Sequence, residues 1–219
     1  MPDGPIVYIE PHPRRVEAVI DNDVVLRTEQ ALLVHRPGHM LAFAFPEDVV
    51  GDLPSAPVPE APGFVQVPWD AVDTWFEEGR RLVHYPPNPY HRADARPTTR
   101  RLRVTSGDAV LVDTDDTIIV FETSLEPVLY VRREHVRVPL RRSETTSWCN
   151  YKGRATYWSA VIGEQVVDDA AWSYDEPLAE SAALRGALSF DLERVHVEAE
   201  LPVGAAGASP RSGESGEPL

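Results

Sequence analysis

The sequence predicts a mainly β protein: two small β domains in tandem, the first truncated, with one or two short helical turns. Three observations predict this. Proline accounts for 21 of 219 residues, roughly twice the usual ~5%, which disfavours long helices and favours short strands joined by tight turns. Short β-branched or apolar runs recur between turn residues along most of the chain. The pattern of the first half returns in the second.

Taken in order, strands are expected over residues 16–20, 24–27, 31–35 and 40–45, with Asp21, Asn22 and Asp23 as hairpin punctuation. A helical turn is expected over 68–73, with Pro68 at its first position. The strand rhythm returns over 102–105, 110–112, 117–122 and 128–131, turning at Ser106, Gly107 and Asp108. A second short helix is expected over 180–185, after Pro177.

The repeat has an offset of 86. Arg14 and Arg15 correspond to Arg100 and Arg101, and Val24, Thr28 and Val34 to Val110, Thr114 and Val120. Glu47-Asp48-Val49 corresponds to Glu134-His135-Val136 after a one-residue gap. Further on, Gly63, Val65, Val67 and Val72 correspond to Gly186, Leu188, Phe190 and Val195 at an offset of 123. The difference, 123 − 86 = 37, is the length that the first copy lacks; it falls between Val136 and Gly186 and takes in the strands expected from about 147 to 169. The expected plan is a truncated first copy over 10–75, a proline-rich linker over 76–97 packed between the copies, a complete second copy over 98–200, and a disordered tail over 201–219. A sheet short of its middle strands leaves open edges, so the first copy is expected to need the second in order to fold.

Composition excludes several function classes. Apolar residues make up 42% and charged residues 26%, a globular profile. The net charge of 21 − 35 = −14 disfavours phosphate backbones and anionic lipid, so neither a nucleic-acid nor a membrane partner is expected. No apolar run approaches the ~20 residues of a membrane span. Residues 1–20 show no signal-peptide pattern, and the single cysteine forms no internal disulfide, so the cytoplasm is the expected location. Arg fills twenty basic positions and Lys one, a bias read as that of a GC-rich genome.

That one Lys, Lys152, sits with the only Cys in the block that the first copy lacks. Residues 148–158 and 171–178 hold Cys149, Lys152, three of five Trp and three of seven Tyr. An ammonium fits a narrow pocket and titrates when desolvated, as a guanidinium does not. Cys149, Tyr151, Lys152, Tyr157, Trp158, Trp172 and Tyr174 are therefore the candidate ligand-binding residues; the same aromatics also suit a plain core. If 148–152 is a strand, Cys149 and Tyr151 share one face and Lys152 the other. Tyr157 and Trp158 likewise point to opposite faces. Asp113, Asp115 and Asp116 offer oxygen ligands but read better as a solvated turn. His35 and His39 have a metal-ligand spacing broken by Pro37 and Gly38. No metal or cofactor is expected, and no catalytic residue is assigned.

The run Cys149-x-Tyr151-Lys152-Gly153-x-Ala155-x-Tyr157-Trp158, followed by Ala171-Trp172-Ser173-Tyr174 and Pro177, resembles the domain of unknown function 427 family. The resemblance extends to Arg100-Arg101, Asp113-Thr114, Phe121-Glu122 and Glu134-His135-Val136, and to His84-Tyr85-Pro86 and Pro89-Tyr90-His91 at the join of two-domain members. Asn150 stands where members usually carry Pro. The resemblance implies a β-tent-like domain, and the family's short label suggests nucleotidyl transfer.

Three readings stay open on the sequence. One is an uncharacterised bacterial protein that binds a small molecule in an aromatic-lined pocket. The second is a nucleotidyltransferase-type enzyme, with Lys152 on phosphate and Asp113 or Asp115 on magnesium. The third is a protein-interaction scaffold presenting the six aromatics of the block.

Overall fold

The computed structural model describes residues 8–203, so the tail over 204–219 lies outside the described residues. The chain divides into two compact units, Met1–Asn88 and Pro89–Leu219. Both are mainly β, and no helix among the described residues is long and apolar enough to cross a membrane.

The first unit contains strands β1 (Tyr8–His12), β2 (Val16–Ile20), β3 (Asp23–Thr28), β4 (Ala31–His35), β5 (Ala42–Pro46), β6 (Ala56–Pro57), β7 (Phe64–Gln66), β8 (Thr74–Glu77) and β9 (Arg80–Leu82). They form a five-stranded sheet, β1-β4-β5-β7-β6, and a four-stranded sheet, β3-β2-β8-β9. Alternation along the strands sends Leu33, Phe43, Phe45 and Val65 from the first sheet against Val16, Ala18, Leu26 and Trp75 from the second. The opposite face of the larger sheet carries a smaller cluster, Val34, Ala44 and Val58.

The second unit contains β10 (Ala93–Thr98), β11 (Leu102–Ser106), β12 (Ala109–Thr114), β13 (Thr117–Glu122), β14 (Val128–Val131), β15 (Leu140–Cys149), β16 (Gly153–Ile162), β17 (Gln165–Ser173), β18 (Leu188–Phe190) and β19 (His196–Ala199). A seven-stranded sheet, β10-β13-β14-β18-β17-β16-β15, faces a three-stranded one, β12-β11-β19. Leu102, Val104, Leu111 and Val112 pack from the small sheet against Ile119, Leu129, Val131, Leu188 and Phe190. The outer face of the large sheet buries Ile118, Val120, Tyr130, Cys149, Ala155 and Tyr174.

Strand pairing coincides in the two units. Val16 lies opposite Thr28 as Leu102 lies opposite Thr114, and His12 opposite Ala31 as Thr98 opposite Thr117. Both β2–β3 and β11–β12 shift register at the same place, after Ala18 and after Val104. All of these positions differ by 86. Val65 against Phe45 matches Leu188 against Val131, which gives 123 for the later strand. The last strand sits at 122, with Val16–Glu77 matching Leu102–Ala199. The plans part between these offsets. Where β17 pairs with β18 in the second unit, the two-residue β6 pairs with β7 in the first, so the hairpin pair β15–β16–β17 has no counterpart there.

Several expectations are refined. The segment 76–97, read as a linker, includes parts of β8 and β10 and all of β9, and the division between units falls at Asn88/Pro89. Pro11 and Pro97 hide β1 and β10 from a sequence reading. Both strands are sheet edges, the position in a sheet where proline is tolerated. The turns read at 68–73 and 180–185 are 3-10 helices, Trp69–Ala71 and Ala179–Leu184. Two further short helices occur among the described residues, the single α-helical turn Glu47–Val50 and the 3-10 turn Arg133–His135; they begin 86 residues apart, so no gap is needed there.

Candidate functional site

The site lies on the outer face of the seven-stranded sheet. Along β13, Ile118, Val120 and Glu122 share that face by simple alternation, so an apolar row ends in a carboxylate. β15 stops at Cys149, which pairs with Gly153 across a three-residue turn, Asn150-Tyr151-Lys152. This corrects the expectation of a strand running through 152. The turn brings Lys152 to the buried side together with Cys149. Gly153 closes it at φ +99, a conformation that L side chains rarely adopt, and a Cβ there would come into ordinary contact with the Glu176–Leu178 segment, 3.4 Å from Glu176 O. Leu178 N donates to Lys152 O and Ser181 Oγ to Tyr151 O, which ties the turn to the following loop.

Lys152 is 4% exposed and Glu122 7%. Lys152 Nζ donates to Glu122 Oε2 at 2.5 Å, and the other carboxylate oxygen is 3.0 Å from His91 Nε2. The His91 ring is stacked on Tyr151, with centroids 3.9 Å apart and planes 15° from parallel. Tyr174 presents its ring 5.9 Å from the ammonium. Burial works against the charged form of Lys152, but Tyr130, Cys149 and Glu122 outweigh it and hold its pKa above the ordinary value. Burial pushes the Cys149 thiol up, against the opposing pull of Lys152. At neutral pH Cys149 is a thiol, which does not suit a nucleophile.

Five of the seven residues singled out in the sequence join this region. Cys149 and Tyr174 are buried in its apolar cluster, with Tyr151, Tyr157 and Trp172 packed against it. Trp172 Nε1 donates to the fully buried Tyr130 hydroxyl at 3.1 Å. Lys152 makes a sixth through its ion pair. Trp158 goes to the opposite face, in the core between the sheets, where Arg133 lies 3.9 Å above its ring and its Nε1 donates to Ser173 Oγ. Of the six aromatics of the block, Tyr174 is buried and the other five are half-buried.

Sequence reasoning missed Glu122, His91 and Tyr130. Glu122 carried one signal, a carboxylate at an inward position of an otherwise apolar strand. The acidic run is committed elsewhere: Asp113 receives Arg101 and Arg103, and Asp116 is 3.0 Å from His135. Among the described residues no cluster of three or more His, Cys, Asp or Glu could hold a metal ion. His35 is 2.8 Å from Glu10, whereas His39 is exposed on a turn.

Fold and site together define a small all-β domain in which a lysine–glutamate pair is buried on the outer face of one sheet and reaches the surface through a histidine. Residues 94–201, nearly the whole described second unit, match the family model of a domain of unknown function, DUF427. No curated protein matches the chain.

Proposed function

We propose that the chain is a cytoplasmic protein whose second unit binds a small polar molecule at the His91–Glu122–Lys152 cluster, and that its two units are copies of one β domain. The buried Lys152–Glu122 pair carries the binding reading. An ion pair in a core gains little stability over an apolar replacement of equal volume. Its presence under a half-buried His91–Tyr151 stack therefore favours recognition: a hydrogen-bonding ligand that displaces the stack meets an ammonium and a carboxylate together. The first unit carries Arg36 and Ala44 at the positions 86 before Glu122 and Tyr130, which leaves it without the cluster. The coincident registers and the shared strand irregularity support the copy reading.

The test is a thermal-shift survey of small hydrogen-bonding metabolites with the full chain and with His91→Ala. At least one compound is expected to raise Tm by more than about one degree, an effect that disappears in the variant. A survey with no such compound, or hits indifferent to His91→Ala, would remove the site.

A further inference from the structure

The first unit holds a cleft of about 250 Å³ that the cluster above does not explain. Its walls are aromatic: Phe43, Trp69, Trp75 and Tyr85. Trp75 is only 2% exposed and forms a fixed floor, stacked on Phe45 and Trp69, with Nε1 donating to Trp69 O at 2.9 Å. At its rim stand Arg36, His39 and His84, and no carboxylate lines it. Arg36 donates to Gln66 at 3.1 Å and has Glu60 at 3.6 Å, which leaves guanidinium donors over for a further acceptor.

The second unit has a cleft in the same place. It measures about 90 Å³ and is lined by Glu126, Pro127, Val128 and Leu129 where the first unit has Met40, Leu41, Ala42 and Phe43, 86 positions earlier. Ser189 and Phe190 answer to Gln66 and Val67 at 123, and Val197 to Trp75 at 122. Leu192 and Trp69 follow at 123. Most differences between the clefts favour an aromatic, less acidic lining in the first, although Phe190 gives way to Val67 and Trp172 lines only the second. Leu129, Leu192 and Val197 are replaced by Phe43, Trp69 and Trp75, the acid Glu126 by neutral Met40, and the first cleft adds the cation Arg36. His84 holds a left-handed backbone, φ +70, at this rim. A non-glycine residue in that conformation carries of order 1 kcal/mol of strain, and such residues gather at binding sites.

We infer that the cleft of the first unit binds a small flat aromatic carboxylate, the ring against Trp69 and Tyr85 and the carboxylate on Arg36. Rigid aromatic walls lose little entropy on binding, and a guanidinium takes a carboxylate through two parallel hydrogen bonds. His39 and His84 add donors at the rim. The net charge of −14 selects against anions in general, so a local cation is what admits this class. The inference does not depend on the cluster in the second unit.

Calorimetric titration and 15N spectra of the full chain test it, with indole-3-carboxylate, neutral indole and cationic tryptamine as probes. The carboxylate is expected to bind at sub-millimolar Kd, about tenfold or more tighter than indole, with tryptamine weakest. Arg36→Gln should remove the preference for the carboxylate and leave indole unchanged. Trp69→Leu, which installs the leucine of the second cleft, should weaken both. Should that variant unfold, the Trp69 indole N–H signal of the unaltered protein reads the cleft directly and must shift on saturation. No saturable binding at millimolar probe, an unmoved Trp69 signal, or affinity insensitive to Arg36→Gln overturns the inference. So does affinity lost in His91→Ala, which would put the ligand in the second unit.

Discussion

At the scale of single residues, the buried ion pair sets the sharpest expectation. Lys152→Met leaves the Glu122 carboxylate in the core without its ammonium, a loss of about 3–5 kcal/mol, whereas the double replacement Lys152→Met, Glu122→Leu should regain most of it. Urea unfolding of the three proteins checks this; a double variant no better than the single one would show that neither charge depends on the other. Lys152 was legible because it is the sole lysine, but its partner was not. Glu122 lies thirty residues away in another strand, and no local period reports which strands become neighbours. Glu77 gives the pH expectation. Burial raises its carboxyl, yet hydrogen bonds from His12 and Arg14 outweigh that and hold its pKa below the ordinary range. Its folded pKa thus lies below its unfolded one. The stability it adds is present at neutral pH and lost as pH falls below about 4.3 toward the lower folded value. Tm measured from pH 6 downward should therefore fall less steeply in Glu77→Gln than in the unaltered protein.

At the scale of elements, the Cys149–Gly153 hairpin positions the site. Gly153→Ala forces an L residue to φ +99, outside the left-handed helical range, and should cost about 1–3 kcal/mol. Gly163→Ala, in the next hairpin at φ +60 with open space around it, should cost about 1 kcal/mol. Equal losses in thermal melts would mean that the wider φ at Gly153 carries no extra strain. The turn was available to a sequence reading, since Asn150 opens the three-residue hairpin loop and Gly153 follows it. The apolar Tyr151 and the long Lys152 side chain imitated a continuing strand. Val16–Ile20, Ala31–His35, Thr117–Glu122 and Val128–Val131 were legible to the residue because their runs are β-branched or apolar and bounded by turn residues. β1 and β10 were not, because proline breaks the pattern even where an edge strand tolerates it.

At the scale of the whole molecule, the offset of 86 was legible because it separates identical residues, and the strand registers of the two units follow the same offset. The place where the first unit stops following the second was legible only as an arithmetic difference. What fills it, two residues of β6 beside β7, has no strand signal of its own. The irregularity shared by β2–β3 and β11–β12 has a practical meaning. In each hairpin one residue of the outer strand, Val25 or Leu111, has no partner across the ladder. Residues before and after it keep their buried faces only because that extra residue is present. The two hairpins thus share one backbone gauge, although few of their side chains agree. Grafting residues 102–114 in place of 16–28 should give a folded chain whose Tm drops by only a few degrees. The same graft without Leu111 would turn Ala109 and Val110 to the wrong sides of the sheet, and its cooperative melt should be lost.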